Sequence, residues 1–192
     1  MQTTLTPDVL YAAYSQGYFP MPDETGELLW FRPDPRAIIP LDGFHVSRSL
    51  RRSLKQSGFS ITYDRAFPQV LSFCGQRQTT WINNEMRQAY ETLHQVGHAR
   101  SLEVWSEEKE LVGGVYGVHF GSVFFAESMF YRKTNASKVA LYYLVRHLRQ
   151  QGFTLLECQF MTPHLRSLGA KEISEEEYME LLQTGMRQKA NF

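Results

Sequence analysis

The residue types in this 192-residue sequence that could do chemistry are few, and three of them are polar groups set inside apolar runs. Glu127 interrupts Val-Phe-Phe-Ala-Glu-Ser-Met-Phe, and Glu157 and Gln159 interrupt Leu-Leu-Glu-Cys-Gln-Phe. A polar group in such surroundings is costly unless it is paired, so each is either satisfied by backbone or Arg groups or belongs to a site that shifts its ionisation. The two-residue period of a strand places Glu157 and Gln159 on one face. Other chemistries find less support. There is no GxSxG for a serine nucleophile and no HExxH for zinc. The six histidines, His45, His94, His98, His119, His147 and His164, do not pair at metal-ligand spacing, and each reads more readily as a surface or hydrogen-bonded side chain. Cys74 and Cys158 lie far apart and outside any CxxC, so neither a structural metal nor a disulfide is expected. Trp30, Trp81 and Trp105 could stack on nucleobases, although a lone tryptophan is usually core.

The elements that must position these groups follow from periodicity and punctuation. Asp8 to Gln16 reads as a short amphipathic helix with Thr6 as its cap, Pro7 at its first position and Gly17 at its stop. Clustered prolines, as in Phe19-Pro-Met-Pro and Arg32-Pro-Asp-Pro, are expected to break regular structure from about residue 19 to 43. Ser47 then caps a basic helix ending at Gly58, Phe59 to Tyr63 alternates as a strand, and Asp64 is placed to cap a helix running towards Gly75. A further helix spans about Asn84 to Val96. From Arg100 the period becomes strand-like, with strands at 101–106, 111–119 and 122–130, a helix opened by Asn135 or Ser137 and ended at Gly152, a strand at 153–160, and helical pieces at 162–168 and 175–182. The expected fold class is α+β, with a small N-terminal domain over residues 1–99 and a second domain over 100–192 in the order β-β-β-α-β-α-α.

Composition excludes several classes. With 43% hydrophobic, 21% charged and 14% aromatic residues, neither disorder nor a disulfide-framed miniprotein fits, and no apolar run is long enough to span a bilayer. Nothing near Met1 reads as a secretion signal, so a cytoplasmic protein is expected. The net charge is zero, but it is segregated. Residues 44–77 carry Arg48, Arg51, Arg52, Lys55, Arg65 and Arg77 against Asp64 alone, and residues 131–171 carry seven Lys or Arg against Glu157 alone. Such blocks are either solvated helix faces or a surface for a polyanion.

Taken in order along the chain, several segments carry a resemblance. They include Ala13-Tyr-Ser-Gln-Gly-Tyr-Phe-Pro, Trp30-Phe-Arg-Pro-Asp-Pro-Arg36, His45-Val-Ser-Arg-Ser, Thr80-Trp-Ile, Ser101-Leu-Glu-Val-Trp, Leu111-Val-Gly-Gly-Val-Tyr-Gly-Val, Glu127-Ser-Met-Phe, Asn135-Ala-Ser-Lys, Glu157-Cys-Gln and Ser167-Leu-Gly-Ala. In these the chain resembles the leucyl/phenylalanyl-tRNA–protein transferases, from about residue 9 to 182. The resemblance implies an enzyme, an aminoacyltransferase of the N-degron pathway. It would move Leu, and less readily Phe or Met, from aminoacyl-tRNA to the α-amine of proteins that begin with Arg or Lys, marking them for degradation. It also implies a small N-terminal α/β domain, abridged here relative to the family, followed by a GNAT-like acyltransferase domain with a mixed, mainly antiparallel sheet.

By the same resemblance, Gln159 contacts the reacting centre. Glu157, where the family usually has Asp, orients Gln159 and draws the incoming amine, and Glu127 lies near that amine. An aminoacyl side-chain pocket is expected from Val115, Phe124, Met129, Leu141, Leu144 and Leu156. Trp30 and Trp81 are expected at the tRNA 3′ end, and Arg48, Arg51, Arg52 and Lys55 along the tRNA backbone. Because the ester is already activated, no cofactor or metal is expected; the partners are aminoacyl-tRNA and an acceptor protein, without a membrane, and the protein is expected to be a monomer. Two other readings remain open on the strand and helix order and on charge: an acetyl-coenzyme A-dependent N-acetyltransferase, although the turn Tyr131-Arg-Lys-Thr-Asn-Ala-Ser carries no glycine for a pyrophosphate, and a non-catalytic RNA-binding module.

Overall fold

Helix α1 (Pro7–Ser15) starts as its sequence dictates: the Thr6 hydroxyl accepts the Val9 N–H at 3.3 Å and Pro7 fills the first turn. Gly17, at φ +80, lets the chain leave the helix, and Leu10 and Tyr14 face inward. The structure, a computed structural model, describes residues 5–23, 25, 27–76 and 82–192.

Residues 19–43 hold more regular structure than their prolines imply. Strands β1 (Phe19–Pro22) and β2 (Leu28–Phe31) pair antiparallel, with Phe19 opposite Phe31 and Pro20 opposite Trp30. Pro20 and Pro22 are tolerated because this ribbon is two-stranded, so one side of β1 needs no donor. Strand β3 (Arg36–Ile38) follows.

Helix α2 (Arg48–Gln56) is capped by Ser47, whose hydroxyl accepts the Leu50 N–H at 3.2 Å. Strand β4 (Ser60–Tyr63) and helix α3 (Phe67–Cys74) come next. Asp64 does not cap α3. It sits at φ 54 and instead pairs with His94 at 2.9 Å and Arg100 at 2.6 Å, while the buried Glu103 carboxylate accepts the N–H groups of Arg65 and Ala66, both at 3.3 Å. Helix α4 (Asn84–Gln95) leads into the hairpins of β5 (Ala99–Trp105), β6 (Leu111–Phe120) and β7 (Val123–Tyr131). Helix α5 (Ala136–Gln150) begins at Asn135, which is left-handed and does not cap; its amide donates to Ser49 and Ser53 of α2 instead. Strand β8 covers only Leu155–Glu157, because Gln159 turns left-handed at φ 64 and ends the extended run expected to reach Phe160. A one-turn helix α6 (Pro163–Arg166), a short strand β9 (Lys171–Ile173) that periodicity did not reveal, and helix α7 (Glu175–Met186) complete the order.

Among the described residues, seven strands form one sheet in the order β4-β5-β6-β7-β8-β3-β9. Strands from before residue 99, β3 and β4, share it with those that follow. Every pair is antiparallel except β7 with β8. One face is covered by α1, α3 and α4, whose Leu10, Val70, Met86 and Leu93 pack with Tyr116, Val118 and Phe125. The other is covered by α5 and α2, with Leu141, Leu144, Leu148 and Leu50 against Val104, Val115, Phe124 and Leu156. Each fully buried Leu contributes roughly 1.5–3 kcal/mol by leaving water.

Two irregularities open this sheet in one place. Tyr116 pairs with Ser128 and Gly117 with Ala126, which leaves Glu127 as the extra residue of a bulge. Pairing of β7 with β8 covers only Val123–Phe125, so from Ala126 onward β7 has no partner on that side.

Candidate active site

At the bulge the Glu127 side chain turns towards three donors brought from remote parts of the chain. The Tyr14 hydroxyl of α1 donates to Oε1 at 2.6 Å; the Tyr90 hydroxyl of α4 and the Gln159 amide donate to Oε2 at 2.9 and 3.1 Å. Burial pushes the Glu127 carboxyl up to about 7, the nearby Glu157 adds to this, and the three hydrogen bonds oppose it. The same burial, beside the Glu127 charge, holds both tyrosines well above their ordinary value, so they remain donors.

Glu157 is 0% exposed, and its Oε1 accepts Arg36 Nη1 at 3.0 Å and the Gln159 backbone N–H at 2.7 Å. Burial raises its carboxyl, and the Arg36 guanidinium pulls it back down. Glu157 and Gln159 do cooperate, but through this backbone bond and the left-handed turn; the strand alternation that was expected to place them on one face stops at Glu157.

The gap between β7 and the chain after β8 holds a cavity of about 140 Å³. Its apolar wall comes from Val115, Ala126, Met129, Leu141, Cys158 and Leu165, and its polar rim from Glu127, Ser128 and Gln159. An apolar cavity of about 150 Å³ takes a benzene molecule, so this one suits an aliphatic or phenyl side chain. Of the six residues expected to line a pocket, Val115, Met129 and Leu141 are in the wall. Phe124, Leu144 and Leu156 lie in the same core cluster but outside the wall; Phe124 stacks on Phe192 at 5.5 Å. Burial pushes the Cys158 thiol up, so it is no thiolate nucleophile.

Trp30 is half-buried on β2, packed against the α1-side core. Trp81 lies outside the described residues. Arg48, Arg51, Arg52 and Lys55 are all exposed along α2, which rests on α5 by way of Leu50. Sequence reasoning missed Arg36, Tyr14, Tyr90, Cys158 and Leu165. The one signal available was Arg36 itself, a cation just ahead of the apolar Ala37-Ile-Ile39. Among the described residues no helix is long and apolar enough to cross a membrane.

A side-chain-sized cavity thus lies where a bulged strand parts from its parallel neighbour on a GNAT-like sheet, rimmed by an acid and an amide. In agreement on the fold alone, a GCN5-related N-acetyltransferase from Kribbella flavida superposes with a TM-score of 0.50 at 11% identity, over 88% of this chain and 61% of that one. Sequence comparison goes further. Residues 38–183 match the leucyl/phenylalanyl-tRNA protein transferase model, and residues 3–34 match the model of that family's N-terminal domain. The leucyl/phenylalanyl-tRNA–protein transferase of Ruegeria pomeroyi is 48% identical over 98% of this chain and 90% of its own length. That of Rhizorhabdus wittichii is 50% identical over 95% of this chain and 75% of its own. The chain belongs to the leucyl/phenylalanyl-tRNA–protein transferase family and is an aminoacyltransferase.

Proposed function

We propose that this chain transfers leucine, and less readily phenylalanine or methionine, from aminoacyl-tRNA to the α-amine of proteins beginning with Arg or Lys, and that the product is destined for degradation. The observation that carries this reading is the cavity opening directly onto Glu127 and Gln159. In the reaction the neutral α-amine attacks the aminoacyl carbonyl, the new C–N bond forms, the ester C–O bond breaks, and the ribose hydroxyl leaves with a proton that the amine gives up. With the ester already activated, what the protein supplies is placement and proton handling, and placement is the larger contribution. The cavity seats the aminoacyl side chain, Gln159 meets the carbonyl centre, and Glu127 receives the amine. Full burial and the Arg36 pair support an orienting role for Glu157 rather than attraction of the amine, which leaves the Glu127 carboxylate to meet a cationic N-terminus.

In this reading residues 100–192 carry the acids and the cavity, while residues 1–99 present Trp30 and Trp81 to the terminal adenosine and Arg48, Arg51, Arg52 and Lys55 to tRNA phosphates. The protein works as a cytoplasmic monomer. The fold alone would also suit an acetyl-coenzyme A N-acetyltransferase. Against that stands the start of α5, where a pyrophosphate would rest: Asn135 is hydrogen-bonded to Ser49 and Ser53 of α2, and no glycine opens the turn.

Incubation with separately charged Leu-, Phe-, Met- and Arg-tRNAs and peptides beginning with Arg, Lys, Asp or Glu tests the reading. Leucine should appear on the Arg and Lys peptides alone. Acetyl transfer from acetyl-coenzyme A in place of aminoacyl transfer would overturn it. The cavity wall adds a finer expectation. Leu165→Ala widens the wall from the peripheral α6, and since one methylene is worth about 1–3 kcal/mol of discrimination, kcat/KM for Phe relative to Leu should rise about tenfold. An unchanged ratio would remove Leu165 from the pocket.

A further inference from the structure

We propose that Arg36 is a positioning residue of the transfer reaction, holding the Gln159 turn in place through Glu157 and fastening the end of α1 to the same point; this rests on the function proposed above. Arg36 is 1% exposed, at the start of β3. One arm of its guanidinium donates to Glu157 Oε1 at 3.0 Å and the other to the Gly17 carbonyl, just past the end of α1, at 2.7 Å. The Tyr178 ring of α7 lies under it, 4.3 Å from its centroid. The planar fork spans both acceptors at once, which a single ammonium does not do.

The chain of contacts then runs onward without a gap. The oxygen that receives Arg36 also receives the Gln159 backbone N–H at 2.7 Å, and the Gln159 amide reaches Glu127 at 3.1 Å. Gln159 is a non-glycine residue at φ 64, a conformation that persists only where surroundings impose it, and here the imposing bond comes from Glu157. Stability does not account for the pair, because a buried ion pair does little better than an apolar pair of the same volume. Among the described residues Glu157 Oε2 and Arg36 Nε have no hydrogen-bond partner, so the pair is imperfectly satisfied as a structural unit, whereas the oxygen that it does use fixes Gln159. Its position between α1, which supplies Tyr14, and the Gln159 turn ties together two of the three donors on Glu127.

Three variants separate this role from simple support. Arg36→Lys keeps a cation but loses the fork. Arg36→Met strands the Glu157 charge. R36M/E157Q removes both charges and keeps a side-chain oxygen for the Gln159 N–H. Two readouts are taken well below each melting temperature: hydrogen exchange of the Gln159 backbone amide, which needs no substrate, and kcat with the KM of the acceptor peptide. Arg36→Lys should speed Gln159 exchange and lower kcat, each by about tenfold or more, with the acceptor KM little changed, as expected where a small displacement costs rate. Arg36→Met should lose more, and the double variant should recover at least part of both losses. Wild-type exchange and kcat in folded Arg36→Lys would overturn the proposal, as would a double variant no better than Arg36→Met. The exchange readout holds whichever group the enzyme transfers, so a failure of the functional reading is seen separately in the wild-type transfer assay.

Discussion

Gln159→Ala is expected to lower aminoacyl transfer by about 10²–10³-fold, the loss typical of removing one donor preorganised at a reacting carbonyl. The substitution is well suited to test chemistry apart from folding. Both residues carry a Cβ, so the left-handed backbone at φ 64 is equally strained in each, and the backbone N–H still reaches Glu157. The bond lost is the amide to Glu127 Oε2, which leaves that oxygen with the Tyr90 hydroxyl. The melting temperature should therefore move little while kcat falls. A variant that transfers at the wild-type rate would place the reacting centre elsewhere.

The second large effect concerns pH and Glu127. Its carboxyl is raised from 4.5 to about 7 by burial in the folded protein. In the unfolded chain it ionises near its ordinary value, so between the two values the folded state holds a proton that the unfolded state has released. The stability this group contributes is thus fully present below about pH 4.5 and is lost as the pH rises to about 7, a difference of about 3 kcal/mol. Glu127→Gln has no proton to hold. Lost or altered hydrogen bonds shift its stability by an amount that does not vary with pH, whereas the gap between variant and wild type should move in favour of the variant from pH 5 to pH 8. For a chain of this size that is roughly 6–12 °C at most, read from thermal melts of both proteins at each pH. Glu157 is also raised by burial and adds to the Glu127 shift, so the difference reads Glu127 together with its coupling to Glu157. Transfer by the wild type should carry an acid limb near pH 7 besides that of the attacking α-amine, and the variant should keep only the amine's. A gap unchanged between the two pH values would mean that Glu127 is not the buried, proton-holding acid described above.

Much of the candidate site was legible in the sequence because it breaks a local rule. Glu127, Glu157 and Gln159 are polar in apolar runs, and that anomaly persists however the chain folds. What accompanies them was hidden for the opposite reason. Tyr14 and Tyr90 fall on the inward faces of their helices, where an aromatic obeys the pattern and reads as core; their hydroxyls meet Glu127 across sequence separations of 113 and 37 residues that no local window sees. The three-residue strands β3 and β9 are too short for a period to declare itself, and the prolines nearby argue for a loop. Asp64 looked like a cap by position, but His94 and Arg100 offered it charge-assisted partners instead. Val115, Met129 and Leu141 line the cavity while Phe124, Leu144 and Leu156 pack in the core outside its wall, a division hidden in sequence because an apolar residue facing a cavity and one facing a neighbour have the same pattern.

The place of β3 between β8 and β9 has a consequence for synthesis on the ribosome. Arg36 emerges early, yet its ion-pair partner lies 121 residues further along the chain and its strand neighbours at 155–157 and 171–173 come later still than most of the sheet. Until they arrive, a cation destined for full burial waits in water with no strand on either side. The first half of the molecule is thus finished by the second, and a fragment beginning at residue 100 would present β8 and β9 with an empty slot between them, an open edge inviting association with other chains.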